Sequence, residues 1–182
     1  MGTCSGLLES HVGAGKGAVL RLRTGAPARR WCCSTRTCAP RTSWHRVAPL
    51  LVADGHAVVC PDLRGYGQSS KPPTTADHGP YSKRTTAGDV LALTRELGYD
   101  RSPSSHDRGA YVAPRLAVDA PGVVSHLAVL DSAPIGVALA RADARFAQSW
   151  WHWFFRAQPG KPERAILGPD AWYGGDPDRM TG

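Results

Sequence analysis

The chain has 182 residues, a formal net charge of +7, 42% hydrophobic residues and 20% charged residues. These values suit a globular protein that buries a core, as one domain or as one domain and part of a second. No run of about 18 apolar residues exists for a membrane span. The N-terminus lacks an apolar stretch of signal-peptide length, so the expected location is the cytoplasm.

Residues 1–43 carry little periodic signal. Gly13-Ala14-Gly15-Lys16-Gly17 lacks the leading Gly and the Ser or Thr after Lys that a phosphate loop needs, and reads as a Gly-rich turn. Cysteines at 4, 32, 33, 38 and 60 make an odd set with a vicinal pair, which is a poor disulfide framework. The Cys-Cys-x4-Cys spacing has no His pair to complete a zinc site. The arginines are scattered apart from a small group between Arg21 and Arg46. No basic helix interleaved with aromatics appears, so neither nucleic acid nor membrane is expected as a partner. A small anionic substrate fits the positive charge.

From Ser43 the pattern sharpens. Trp44, Val47, Leu50 and Leu51 fall at helical spacing, and Gly55 marks a turn. Ala57-Val58-Val59-Cys60 reads as a buried parallel strand. Asp62 to Ser69 follows as a loop, and the Pro-rich stretch from Lys71 to Pro80 suits neither helix nor strand. Residues 83–98 predict a helix with Ala87, Val90, Leu91, Thr94 and Leu97 on one face and Gly98 as its stop. A short segment, 101–105, leads to Asp107, and a second helix is predicted over 109–119. Leu127 to Leu130 predicts another buried strand, ending at Asp131. Helical pattern resumes over 136–157 with Trp150, Trp151, Trp153, Phe154 and Phe155. Strands alternating with helices predict an α/β sheet.

Ligands in an open α/β sheet bind beyond the carboxyl ends of the strands. The 62–69 loop, the Asp107 turn and Asp131 all fall at such ends. Ser105-His106-Asp107-Arg108-Gly109 has the form of a nucleophile elbow with a carboxylate at its apex. A helix starting there presents free N–H groups and a positive dipole end, both of which favour ionised Asp107. A carboxylate can displace a leaving group from carbon and form an ester, which an activated water then hydrolyses. On the pentapeptide alone, Asp107 serves equally as a helix N-cap. For Asp131 the alternative is a strand-end turn residue.

Asp62-Leu63-Arg64-Gly65-Tyr66-Gly67-Gln68-Ser69, His106-Asp107-Arg108-Gly109, Leu130-Asp131-Ser132-Ala133-Pro134 and Trp151-His152-Trp153-Phe154-Phe155 occur in this order. Together they resemble the haloacetate (fluoroacetate) dehalogenases over about residues 43–180. The first of these motifs is shared with epoxide hydrolases and many other α/β-hydrolases. The resemblance implies an α/β-hydrolase fold, a mostly parallel sheet flanked by helices. Residues 1–135 would be the N-terminal part of the core and 136–182 the beginning of a truncated helical cap, with the C-terminal part missing. It implies Asp107 as nucleophile on the halogen-bearing carbon and Arg108 as the fork for the substrate carboxylate. Asp131 would orient a catalytic His, and His152 and Trp153 would donate to the departing halide. Trp150, Trp151, Phe154 and Phe155 are expected in the cap core. No metal or organic cofactor is implied, the partner is a small haloacid, and a homodimer is allowed. An epoxide hydrolase shares the Asp elbow but needs two cap tyrosines, and Tyr173 is the only clear tyrosine in that portion. A non-catalytic remnant is the third reading.

The chain departs from this family. The catalytic His should follow the cap, and neither His126 nor His152 stands at its position. Tyr111 stands where a second carboxylate-binding Arg is expected. Arg30-Trp31-Cys32-Cys33-Ser34-Thr35 replaces a buried strand and its His. If a GC-rich gene encodes them as CGG TGG TGC TGC TCC ACG, a shifted frame gives Val-Val-Leu-Leu-His. Arg101-Ser102-Pro103-Ser104-Ser105 is likewise what a one-base loss makes of Arg-Phe-Ala-Val-Val. Pro114 falls inside the helix after the elbow, at a cost of about 3 kcal/mol. With two polar segments in place of central strands, the chain as written is expected to fold poorly and to lack turnover. A cooperative melt by circular dichroism together with steady fluoride release would overturn that expectation.

Overall fold

The computed structural model describes residues 8–13, 19–25, 31–33, 44, 46–98, 104–106, 109–130 and 132–166. Two compact units are present, Met1–Ile135 and Gly136–Gly182. In the first, strands β1 (Leu8–Gly13), β2 (Val19–Gly25), β3 (Trp31–Cys33) and β4 (Ala57–Pro61) form one sheet in the order β1-β2-β4-β3. The β1–β2 and β2–β4 pairs are antiparallel, and β3 runs parallel to β4 with Trp31 opposite Ala57 and Cys33 opposite Val59. Strands β5 (Ser104–His106) and β6 (Ala128–Leu130) pair in parallel as a second sheet. β3 lies beside β5, yet among the described residues no ladder joins the two sheets.

Strand β4 is the centre of the first unit. All five of its residues are buried, because its two faces meet different layers. Ala57 and Val59 pack with Leu20 and with residues of helices α2 (Lys83–Glu96) and α3 (Gly109–Asp119). Val58 and Cys60 pack with Ala48 of helix α1 (Val47–Ala53), and Trp44, Leu51 and Val52 close that side. An unbroken apolar run is what a strand covered on both faces requires.

Helix α2 begins at Ser82, whose side chain accepts from the Thr85 N–H at 3.2 Å, as an N-cap does. It stops where Gly98 turns to a φ of 69°. Its buried face is Thr86, Ala87, Asp89, Val90, Leu93 and Thr94. Leu91 and Leu97 are only partly buried, so the face is rotated slightly from the predicted one. Helix α3 spans its predicted range and continues through Pro114.

Several expectations need correction. Residues 8–13 and 19–25 pair as antiparallel strands rather than featureless chain. The Leu20-Arg21-Leu22-Arg23 alternation carries its signal, a period of two. Trp31–Cys33 and Ser104–His106 form short strands despite their composition. Main-chain ladders need no particular side chain, and three residues suffice beside a neighbour already in place. Strand β6 was expected to be buried, but Leu127 and Leu130 are 39% and 45% exposed. β6 has β5 on one side and no strand described on the other, so its side chains are not sandwiched.

The second unit contains α4 (Ile135–Ala140, which starts at the boundary), α5 (Ala144–Ser149), α6 (Trp151–Arg156) and α7 (Lys161–Ala165). The helical pattern predicted over 136–157 is thus realised as three short helices. Asp143 caps α5 by accepting from the Phe146 N–H at 2.7 Å. No helix among the described residues is long and apolar enough to cross a membrane.

Pro114 removes the donor that would bond the Ala110 carbonyl inside α3 and fixes its own φ. Pro114→Ala is expected to stabilise the chain by about 1–3 kcal/mol, read as a higher denaturant midpoint at unchanged slope.

Candidate active site

The loop after β4 is wound around Asp62. The Gln68 N–H donates to Asp62 Oδ2 at 3.3 Å, and Ser69 Oγ donates to the Asp62 carbonyl at 2.7 Å. Gly67 has a φ of 51°, and a Cβ there would collide with the Asp62 carboxylate. The loop's far end is tied to β2. The Ser70 N–H donates to the Val19 carbonyl at 3.0 Å, and the Val19 N–H donates to Ser70 Oγ at 3.0 Å.

Arg64 fixes this loop to α2. Its Nε and Nη2 donate to the two oxygens of Asp89, and Nη1 donates to the Pro80 carbonyl at 2.9 Å. Side-chain exposure is 3% for Arg64 and 1% for Asp89. The hydrogen bonds that Arg64 donates to Asp89 raise the Arg64 pKa. Burial raises the Asp89 carboxyl more than Arg64 lowers it. These directions oppose each other, one favouring an ion pair and the other a neutral acid. The geometry decides for the ion pair, because only a carboxylate accepts from both prongs of the guanidinium.

Leu63 and Arg64 share a small pocket with Thr86 of α2 and Val112 of α3. The β4 loop and the first half of α3 therefore meet. The sequence motifs did not expose Asp89 as a partner of Arg64. The available signal was an acid among the apolar positions of α2, between Ala87 and Val90.

Asp107, Arg108 and Asp131 lie outside the described residues, and so does Tyr173. The elements next to them in sequence are described. β5 ends at His106 and α3 starts at Gly109, while β6 ends at Leu130. His106 and Leu130 are paired in register. The two strands that precede Asp107 and Asp131 in sequence are therefore adjacent and end at the same level. Adjacent strands lie about 4.8 Å apart.

His152 and Trp153 are neighbours on α6 and are half-buried. Phe146 meets Trp153 edge-on at 5.9 Å and Phe154 at 6.2 Å, and it stacks with Trp150 at 6.3 Å. His152 lies 5.6 Å from the Trp150 ring. The cap-core expectation is corrected for Trp150, Trp151 and Phe154, while Phe155 is partly buried against Trp151. Trp150, Trp151 and Phe154 are 46%, 55% and 38% exposed, because the short helices pack their rings mainly on one another. Among the described residues, no group of three or more His, Cys, Asp or Glu could hold a metal.

Known proteins place the chain in a family. The α/β-hydrolase fold profile matches residues 38–170, and the chain belongs to that family. A fluoroacetate dehalogenase from a Burkholderia species is 46% identical over 135 residues, 72% of this chain and 44% of that protein. A soluble epoxide hydrolase from a Corynebacterium species is 38% identical over 131 residues, 71% of this chain and 40% of that protein. A crystal structure of a proposed acyltransferase from Salmonella enterica superposes with a TM-score of 0.86 at 34% identity, covering 97% of this chain and 58% of that one. The chain therefore spans less than half the length of these two curated relatives.

Two substitutions test the scaffold of the site. Asp89→Asn leaves the buried Arg64 charge uncompensated and is expected to cost about 3–5 kcal/mol. Gly67→Ala imposes a side chain at positive φ and is expected to cost more than about 1 kcal/mol. Urea unfolding measures both.

Proposed function

We propose that this chain carries the nucleophile portion of a hydrolase that cleaves the carbon–halogen bond of a small 2-haloacid. The observation that carries this reading is the 46% identity to the fluoroacetate dehalogenase. The in-register ends of β5 and β6, just before Asp107 and Asp131, support it.

In this reading an Asp107 oxygen attacks the halogen-bearing carbon. The carbon–halogen bond breaks, the halide leaves with the electron pair, and an aspartyl ester remains. Arg108 holds the substrate carboxylate with a two-pronged fork. His152 and Trp153 donate N–H bonds to the halide as its charge grows. Water then attacks the ester carbonyl, releasing the hydroxyacid and restoring Asp107. Asp131 orients the histidine that activates this water, and no residue of this chain is assigned as that base. The enzyme would be cytoplasmic, would need no cofactor, and a homodimer is compatible with it.

The 38% identity to the soluble epoxide hydrolase favours a second reading, attack of the same aspartate on an epoxide. Incubation with chloroacetate or styrene oxide, followed by peptide mass spectrometry, separates the two. The expected result is a carboxymethyl ester on Asp107 that is absent in Asp107→Asn. An adduct from styrene oxide alone would support the epoxide hydrolase. No adduct from either reagent would leave the chain a non-catalytic remnant.

A further inference from the structure

Strands β5 and β6 end together, with His106 opposite Leu130, and ligands of an open α/β sheet bind beyond the carboxyl ends of its strands. Ser132 is the second residue past the end of β6, in the first compact unit. The residue is partly buried, but its hydroxyl oxygen is wholly withdrawn from solvent and has no hydrogen-bond partner in the protein.

A hydroxyl carries one donor and two acceptor lone pairs. Burying it without a partner costs stability, whereas an alanine in the same place would not bear that cost. Serines in such positions have an ordinary local use, which is to accept from an N–H of their own turn or of the helix that follows. Helix α4 starts three residues on, at Ile135, yet the Ser132 hydroxyl makes no bond to it. Pro134 intervenes and has no N–H to offer. The hydroxyl therefore serves neither the turn nor the helix. A buried polar group that destabilises its own fold, at the ligand-binding end of a sheet, is what a site retains for a partner from outside the chain.

We propose that Ser132 is a ligand-binding residue whose hydroxyl donates to a carboxylate oxygen of a small acid. The ligand class rests on the haloacid reading above, while the position of Ser132 does not. A carboxylate oxygen accepts and cannot donate, and a hydrogen bond to a charged acceptor is stronger than one between neutral groups. The bond formed on binding also removes the cost that the buried hydroxyl imposes on the fold. Binding and folding thus act on this side chain in opposite directions. That opposition separates a ligand-binding hydroxyl from a structural one.

The test compares the full chain with Ser132→Ala, by thermal melts and by calorimetric titration with glycolate. Without glycolate, Ser132→Ala is expected to melt about 2–4 °C higher, the shift that removal of an unsatisfied hydroxyl gives in a chain of this size. Its glycolate affinity is expected to fall at least about fivefold. Added glycolate should raise the melting temperature of the unmutated chain more than that of the variant. Unchanged affinity in Ser132→Ala shows an idle hydroxyl, and a variant that melts no higher shows a hydroxyl used by the fold. An unmutated chain that takes up no glycolate shows that the site does not exist. Each of these three results overturns the proposal. Labelling of Asp107 by chloroacetate is scored separately. An adduct with Ser132-independent glycolate binding keeps the haloacid reading and removes Ser132 from it. Ser132-dependent binding without an adduct keeps the carboxylate site and sinks the haloacid reading.

Discussion

The buried pair of Arg64 and Asp89 holds together the edge of the molecule on which the site is built. One guanidinium joins the loop after β4, the body of α2 and the carbonyl of Pro80. Taking two charges out of water is costly, and the attraction between them offsets this only when the geometry is good and the remaining protons are satisfied. Here the third contact, to a main-chain carbonyl, meets that condition. The pair also specifies position. An apolar contact would let the loop slide over α2, whereas a two-pronged fork admits one register. The wall of the small pocket and the start of α3 follow from that register.

A different constraint acts on the sheet. Among the described residues the two ladders separate between β3 and β5, the strands that carry Trp-Cys-Cys and Ser-Ser-His. Parallel strands with helices on both faces are normally rich in Val, Ile and Leu. Strand β4 meets that demand and is buried throughout. Its neighbour β3 and the elbow strand β5 do not, and the discontinuity falls between them. The frame-shift reading of both segments offers one origin for this coincidence, since each shifted sequence would be apolar.

Elements whose periodicity matched their burial were legible. Residues 57–60 read as a doubly covered strand, and 83–98 and 109–119 read as helices, because packing and pattern agree there. The strand pair at residues 8–13 and 19–25 went unread although Leu20 and Leu22 alternate with Arg21 and Arg23, a pattern too short to stand out among turn residues. The helical pattern over 136–157 is borne out as the three short helices α4, α5 and α6, whose breaks after Ala140 and Ser149 the pattern did not mark. At the site, sequence motifs named Asp107, Arg108 and Asp131, which fall outside the described residues. They were silent on Asp89, whose importance lies in the contact it makes with Arg64 across the fold. Such contacts join residues 25 or more positions apart and leave no local signature.

The aromatic cluster of the second unit has a spectroscopic consequence. Of the six tryptophans in the chain, Trp150, Trp151 and Trp153 sit within four residues, with their rings in mutual contact or a residue apart. Indoles so close exchange excitation energy, and two of them face water. Intrinsic emission of this protein will therefore be weighted toward the short helices α5 and α6. The β4-centred core contributes through Trp44, which packs against the side of Val58 and Cys60. Fluorescence and far-ultraviolet dichroism would then follow different parts of the chain, and their transitions need not coincide.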